Sequence, residues 1–460
     1  MASSNKLSRR LFLKRSLQGL SALGLTGLSF PNVGEAQAGP GKVCLVVQLL
    51  GGIDPLLFLP YTSQYADLAT IRGDYARVNP GASPLEIRPG LALHPKLAKL
   101  SPYLSRTKVI LHTGNAFHLS ANRSHEVASL RMAIGGSPEE LGRMGWMGRL
   151  YDQNKAANLV GFGGVEESFA CQKCEVPPIV ASSYEELDIS KANLQEPLGG
   201  TRNVKLIEET MRELSQAPGL SEMDNYFRRS QRGMLGAIDD IRKTLSYTTP
   251  NFNAYTAQPA ATEFMYGAGN TGELNYLISQ HLKLMAKFKN AAQTIQEMKT
   301  KNSNERLVMV LPQGGHDIHD NWQKVGHNNV SSLAMGLKAF LDDMNAMGML
   351  DNVVVFITSE FGRTIYGNGT GTDHGIGYPS FIIGGKVQGG GSKIVYGDPM
   401  TVSRLASFGS ANGNAWPREV AQERLIVEII QKHLGLDPTL AFPAEFLAKI
   451  PKPSDLNIFA

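Results

Sequence analysis

The residues of this 460-residue chain best suited to chemistry are acids and imidazoles that directly follow short apolar runs. Asp317 and His319 come after residues 307–311 by way of Gly314 and Gly315, and Glu360 comes after residues 353–358. Asp54 follows residues 43–50 by way of Gly51 and Gly52, and His374 sits beside Asp373 in the glycine-rich stretch 367–377. Two residues apart in extended backbone, Asp317 and His319 point to the same side. With Asp54, Glu360 and His374 they make an oxygen and nitrogen donor set for a divalent metal, zinc first, with manganese, iron or calcium also admitted. A metal so held stabilises a developing oxyanion or acidifies a nucleophile or bound water. Asp373 offers an acceptor behind a ligating imidazole.

Each of these residues has a plainer use. Asp54 precedes Pro55 and could shape a turn, while Asp317 and Asp320 could cap the next helix. Glu360 could pair with Arg363 or Arg123. Ser124 is a favoured helix N-cap residue and needs metal or base activation to act as a nucleophile. His316 and His327 are expected on the surface.

The elements that must carry these groups read as a sheet. Runs rich in Val, Ile and Leu at 43–50, 307–311 and 353–358 predict strands buried on both faces, as in parallel sheets. Ligands of open α/β sheets bind beyond the carboxyl ends of the strands, so three strands deliver Asp54, Asp317 with His319, and Glu360 to one edge. A further strand at 108–112 leads by a polar loop to a helix opening near Arg123, Ser124 and His125. Free N–H groups at such a helix start favour an anion. Arg123, His125 and Arg363 are the candidate substrate-binding groups there. The expected fold is an α/β domain with a mostly parallel central sheet, helices on both faces, and a helical layer or cap at about 203–300; ordinary flanking helices are the other reading of that stretch.

Composition, 42% hydrophobic and 19% charged, permits a large core. Ser8, Arg9, Arg10, Phe12, Leu13 and Lys14 match the twin-arginine export consensus, and an apolar stretch at 17–30 with a small-residue cleavage site at Ala36–Ala38 follows. Residues 1–38 are therefore expected to be a signal peptide, and 39–460 the folded domain, in the periplasm or outside the cell. The expected partner in export is the twin-arginine translocase, with no membrane anchor after cleavage. The leader holds five basic residues and one acidic, leaving 40 of each sign in the remainder, so the net charge of +4 is no argument for nucleic acid. Cys44 reads as a buried apolar residue. Cys171 and Cys174 are a candidate local disulfide for an oxidising compartment.

Five motifs in order, Gly-Gly-x-Asp at 51–54, Arg-Ser-His at 123–125, Gly-Gly-x-Asp-x-His at 314–319, Ser-Glu-Phe-Gly-Arg at 359–363 and Thr-Asp-His-Gly at 372–375, resemble a secreted bacterial family called "domain of unknown function 1501". That family resembles the alkaline phosphatase/sulfatase superfamily. The resemblance implies an alkaline phosphatase-like fold, Asp54 as first metal ligand, Ser124 at the nucleophile's helix, and Asp317, His319 and His374 around one metal. Glu360 and Phe361 stand where the superfamily has an Asp-His pair, so a second metal lacks a ligand. The implied activity is metal-dependent hydrolysis of a small or polymer-borne phosphate or sulfate ester. A non-catalytic exported binding or assembly protein that keeps the fold is the other reading.

Overall fold

The computed structural model describes residues 41–459 apart from 74–77, 80–82, 117–122, 153–156, 165, 172–177, 185–200, 220 and 265–270. The expected leader, residues 1–38, and Cys174 lie outside the described residues. Cys171 is disulfide-bonded and Cys44 is a buried free thiol. Among the described residues no helix is long and apolar enough to cross a membrane.

Among the described residues, nine strands form the central sheet: β1 (Lys42–Leu49), β2 (Thr107–Gly114), β3 (Asn158–Gly161), β4 (Ile179–Val180), β5 (Arg306–Gln313), β6 (Val353–Thr358), β7 (Tyr378–Gly384), β8 (Val395–Tyr396) and β9 (Val420–Ala421). Their order is β8-β2-β7-β6-β1-β5-β3-β4, with β9 also paired to β2. Pairings are parallel except those of β7, which runs antiparallel to both β2 and β6. The runs are apolar at nearly every position, as a doubly covered sheet requires, and successive side chains point to opposite faces. Val43, Leu45, Val47 and Leu49 of β1 enter one core, and Cys44 and Val46 enter the other. Leu307, Met309 and Leu311 of β5 likewise oppose Val308 and Val310.

Register brings the expected strand ends together. Leu49 pairs with Gln313 across β1 and β5, and Gln48 pairs with Thr358 across β1 and β6. The loops that begin at 50, 314 and 359 therefore leave the sheet side by side. Tyr378 at the start of antiparallel β7 faces Thr113 near the end of β2, which brings the chain before 378 and the chain after 114 to the same edge.

The helices that matter here are α1 (His125–Ile134), α2 (Thr201–Gln216), α3 (Glu222–Ser246), α4 (Thr271–Thr300) and α5 (Trp322–Ala346). Leu284, Met285, Phe288, Ala291, Ala292 and Ile295 of α4 share the core of β1 and β5, so α4 is a flanking helix of the sheet. The expected helical layer thus joins the ordinary α/β packing along this helix.

Candidate metal centre

Close backbone approach assembles the site. Gly51 has φ +113° and Gly52 has φ +101°, conformations that L side chains rarely adopt. A Cβ on Gly51 would collide with the backbone of Asp317, and one on Gly52 would meet Phe361 and Arg363. The Gly51 N–H donates to Glu360 Oε1 at 2.7 Å, and its carbonyl accepts from Arg363 Nη1 at 2.9 Å. Ile53 bridges Gly362 in parallel fashion. A hairpin, Arg363–Gly367 with Thr372–His374, adds Asp373 and His374, and the Thr372 N–H donates to the Ile318 carbonyl at 2.9 Å. Four separate segments are fastened to one another before any ligand is considered.

Three imidazoles surround Asp317. His319 Nε2 and His374 Nε2 each lie 3.0 Å from Asp317 Oδ1 and 3.0 Å from each other. His125 Nε2 lies 3.3 Å from Asp317 Oδ2. One ligand atom each from His125, Asp317 and His374 falls within 4.8 Å of the others. The opposite nitrogen of every ring is committed to an acceptor. His125 Nδ1 meets Glu360 Oε1 at 3.1 Å, His319 Nδ1 meets Asp373 Oδ1 at 3.2 Å, and His374 Nδ1 meets the Arg123 carbonyl at 2.6 Å. A carbonyl oxygen only accepts, so His374 carries a proton on Nδ1 and its neutral form turns a lone pair toward Asp317. His125 Nε2 is buried and lacks a partner of hydrogen-bond geometry. Facing lone pairs around a carboxylate are satisfied by a cation, and carboxylate–His or carbonyl–His pairs behind each ring are the outer support of metal-binding histidines. A tetrahedral site with bonds of about 2.0–2.1 Å separates its ligand atoms by roughly 3.3 Å; the imidazole contacts to Asp317, 3.0–3.3 Å, match this edge, while the ligand atoms of His125, Asp317 and His374, the group that could hold an ion, lie within 4.8 Å of one another and His319 stands beside that group. The residues present fit a single divalent metal.

Charge and packing hold the rings in place. Phe361 stacks on His374 at 4.6 Å between centroids and leans against His125 at 4.9 Å. The hydrogen bond to Glu360 raises the pKa of His125 above its usual value. Burial opposes ionisation of Asp317, but the His374 ring 3.0 Å away and the hydrogen bond and charge of Arg363 outweigh it and hold the carboxyl below its usual range. Burial lowers the pKa of His374.

Several expected roles change. Asp54 is 1% exposed and lies outside the ligand group. Its oxygens accept from Arg72 Nη1 at 2.7 Å, Arg72 Nη2 at 3.0 Å, Trp322 Nε1 at 2.6 Å and the Leu56 N–H at 3.1 Å. A carboxylate so occupied is a buried ion-pair anchor, which replaces the reading of Asp54 as a metal ligand. Glu360, 2% exposed, also steps back: its Oε1 accepts from Gly51 and His125 and supports His125, and its Oε2 lies 3.0 Å from Ser359 Oγ. His125, expected to touch substrate, stands instead with Asp317 and His374 in the group whose ligand atoms could hold an ion. Arg363 is fully buried and spends its guanidinium on Asp317, Gly51 and Thr372, so it braces the site. Arg123 donates from its side chain to the Gly413 carbonyl.

Asp317 does not cap α5; Asn321 stands at that N-cap. Ser124 is exposed at the N-cap of α1 and makes no side-chain cap bond. His316 and His327 are buried, not on the surface; His327 Nδ1 meets His94 Nε2 at 2.8 Å, and its ring lies edge-on to Trp322. A signal for His125 existed in the sequence, since it opens a helix immediately after a sheet-edge loop. Nothing in the spacing separated it from Glu360.

Comparison with known proteins gives a family and a set of distant structural likenesses. No curated protein matches the chain in sequence. A protein of the alkaline phosphatase superfamily from Vibrio parahaemolyticus aligns with 97% of this chain and 80% of its own, at 9% identity and TM-score 0.38. Alkaline phosphatase from the Antarctic bacterium TAB5 aligns over 75% of this chain and 92% of its own, at 12% identity and TM-score 0.30. The PH0037 protein from Pyrococcus horikoshii covers 87% and 98%, at 16% identity and TM-score 0.33. Residues 91–405 match the family described as "Protein of unknown function (DUF1501)", and the chain belongs to that family.

Proposed function

We propose that the protein is an exported, metal-dependent hydrolase of phosphate or sulfate esters, with His125, Asp317, His319 and His374 as ligands of one divalent metal. The observation that carries the reading is the set of three imidazoles whose Nδ1 atoms are each held by an acceptor while their Nε2 atoms gather about Asp317. Three histidines and one carboxylate favour zinc over the harder ions. When bound, such a metal polarises an ester oxygen and acidifies a nearby hydroxyl or water.

The chain's own groups supply the rest. Ser124 is the proposed nucleophile: it is exposed, starts α1 and adjoins a ligand. Its Oγ gives up its proton and bonds to phosphorus or sulfur as the P–O or S–O bond to the leaving alcohol breaks and that oxygen takes up a proton; water then cleaves the seryl ester, restoring the hydroxyl and releasing phosphate or sulfate. The first-turn N–H groups of α1 face the anion, a role that its 10 residues and their aligned dipoles support. With Arg363 buried, anion recognition shifts from that arginine to this helix start. Glu360, Asp373 and the Arg123 carbonyl keep the three rings oriented. Export in folded form rests on the twin-arginine-like leader, with the translocase as partner and the periplasm or exterior as destination.

The test is turnover of aryl phosphate and aryl sulfate esters by the metal-loaded protein. Hydrolysis that disappears in Ser124→Ala, with metal content unchanged, is the expected result. No turnover of either ester class with any divalent metal supports a binding protein and overturns the hydrolase reading.

A further inference from the structure

A groove of about 820 Å³ lies beside the proposed centre, walled by α4, α5 and the carboxyl end of β5. The loop that carries Asp317 and His319 contributes Gly314, Gly315 and Asn321 to its wall, so the groove and the metal-binding group share a border. Its chemistry differs from that of an apolar ligand pocket. Among the described residues, three large hydrophobic side chains are exposed, and two of them, Tyr276 at 61% and Val325 at 39%, line this groove. Lys283, Lys287 and Lys324 stand on its walls against one acid, Glu273, which is paired with Lys324. Gln313 lines its floor at 7% exposure, and its Oε1 is a buried acceptor without a partner, while its Nε2 donates to the Asn329 carbonyl at 3.0 Å.

We propose that this groove binds an extended glycan chain bearing sulfate or phosphate groups. An exposed aromatic ring presents a flat face to the C–H side of a sugar, and its polar edge stays wet. The polar side chains of the lining, Ser182, Ser183, Gln280 and Asn329, offer donors and acceptors to sugar hydroxyls. The excess of lysines recognises anionic substituents as point charges. An acidic peptide would use the lysines but offers no flat ring-sized C–H face to Tyr276. The proposal rests on the hydrolase reading only in making the bound chain a substrate; the binding is tested apart from it.

The experiment measures binding of fluorescein-labelled dextran sulfate, unmodified dextran and poly-glutamate to the metal-loaded full chain at physiological salt. Dextran sulfate is expected to bind at least about tenfold more tightly than either control. The double variant Tyr276→Ala/Lys283→Ala, two exposed positions, is expected to lose at least about tenfold of that affinity. It should still turn over small aryl esters at the wild-type rate. Asp317→Ala is expected to retain dextran sulfate binding. Equal affinity for poly-glutamate, or a double variant that binds like the wild type, overturns the proposal. Binding without ester turnover in the wild type refutes the hydrolase reading and leaves the groove assignment standing.

Discussion

Replacing Glu360 by glutamine separates two roles that the geometry assigns to one buried carboxylate. Oε1 accepts from Gly51 N–H at 2.7 Å and from His125 Nδ1 at 3.1 Å, while Oε2 lies 3.0 Å from Ser359 Oγ. Ser359 Oγ also donates to the Leu49 carbonyl at 2.6 Å, which leaves a lone pair for a glutamine NH2 placed where Oε2 now sits. Glu360→Gln therefore keeps both Oε1 hydrogen bonds and removes only the charge behind His125. Loss of an outer partner of a metal-bound histidine costs about 10–100-fold in affinity. The conservative variant belongs at the low end, about tenfold, or about 1.4 kcal/mol. Glu360→Ala removes the acceptor as well. It belongs near about 100-fold, and the stranded Gly51 N–H costs about 1–3 kcal/mol of stability besides. Zinc affinity is measured by competition with a chromophoric chelator, and apo-protein stability by thermal melting. Wild-type affinity in both variants refutes the orienting role. Loss of all measurable binding in Glu360→Gln would instead make Glu360 a direct ligand.

Three further outcomes follow from the same geometry. Arg72→Met leaves Asp54 buried without its bidentate partner and should cost about 3–5 kcal/mol in chemical denaturation; metal affinity is expected to stay within a factor of about two, and a large loss would return Asp54 to the ligand set. His316 has its pKa lowered to about 3, and His281, His327 and His433 to about 4, all by burial. Unfolding lets each take up a proton below the ordinary histidine value near 6.5, so stability should fall as pH drops from there toward 4, by about 1.4 kcal/mol per pH unit for each histidine fully engaged; a flat urea midpoint over that range contradicts this. The raised pKa of His125 has the opposite sign: its contribution to the apo protein is present below the unfolded value and lost as pH rises through the folded one. Metal competes for the same Nε2, so the rise in melting temperature on adding zinc should grow between pH 6 and pH 8, and a shift that shrinks over this interval argues against imidazole ligation.

Much of this arrangement was legible in the chain. The short, nearly all-apolar runs located β1, β5 and β6, and parallel pairing of such strands puts Gly51, Gly314 and Ser359 on one edge as a matter of register. Asp317 and His319 could be gathered from that rule, and His374 from its place beside Asp373 in the glycine-rich stretch 367–377. Asp54 could not be excluded by it, because its partners Arg72 and Trp322 come from a short helical turn and from α5, and no local pattern joins them. The exchange between His125 and Glu360 depends on differences of a few ångströms along one hydrogen-bonded line, which spacing does not encode. His316 and His327 look like surface residues because their neighbours are polar, yet one is buried beside Phe58 and the other against His94 and Trp322. The flanking role of α4 was one of two readings of the same stripe, since an apolar helix face does not say which surface covers it.

The most direct test of the central claim is elemental analysis of the wild-type protein and of Asp317→Ala after equilibration with zinc and removal of the excess. About one equivalent of zinc in the wild type, and none above background in the variant, is the result this account predicts. Absence of bound metal in the wild type, or an undiminished equivalent in Asp317→Ala, would contradict it.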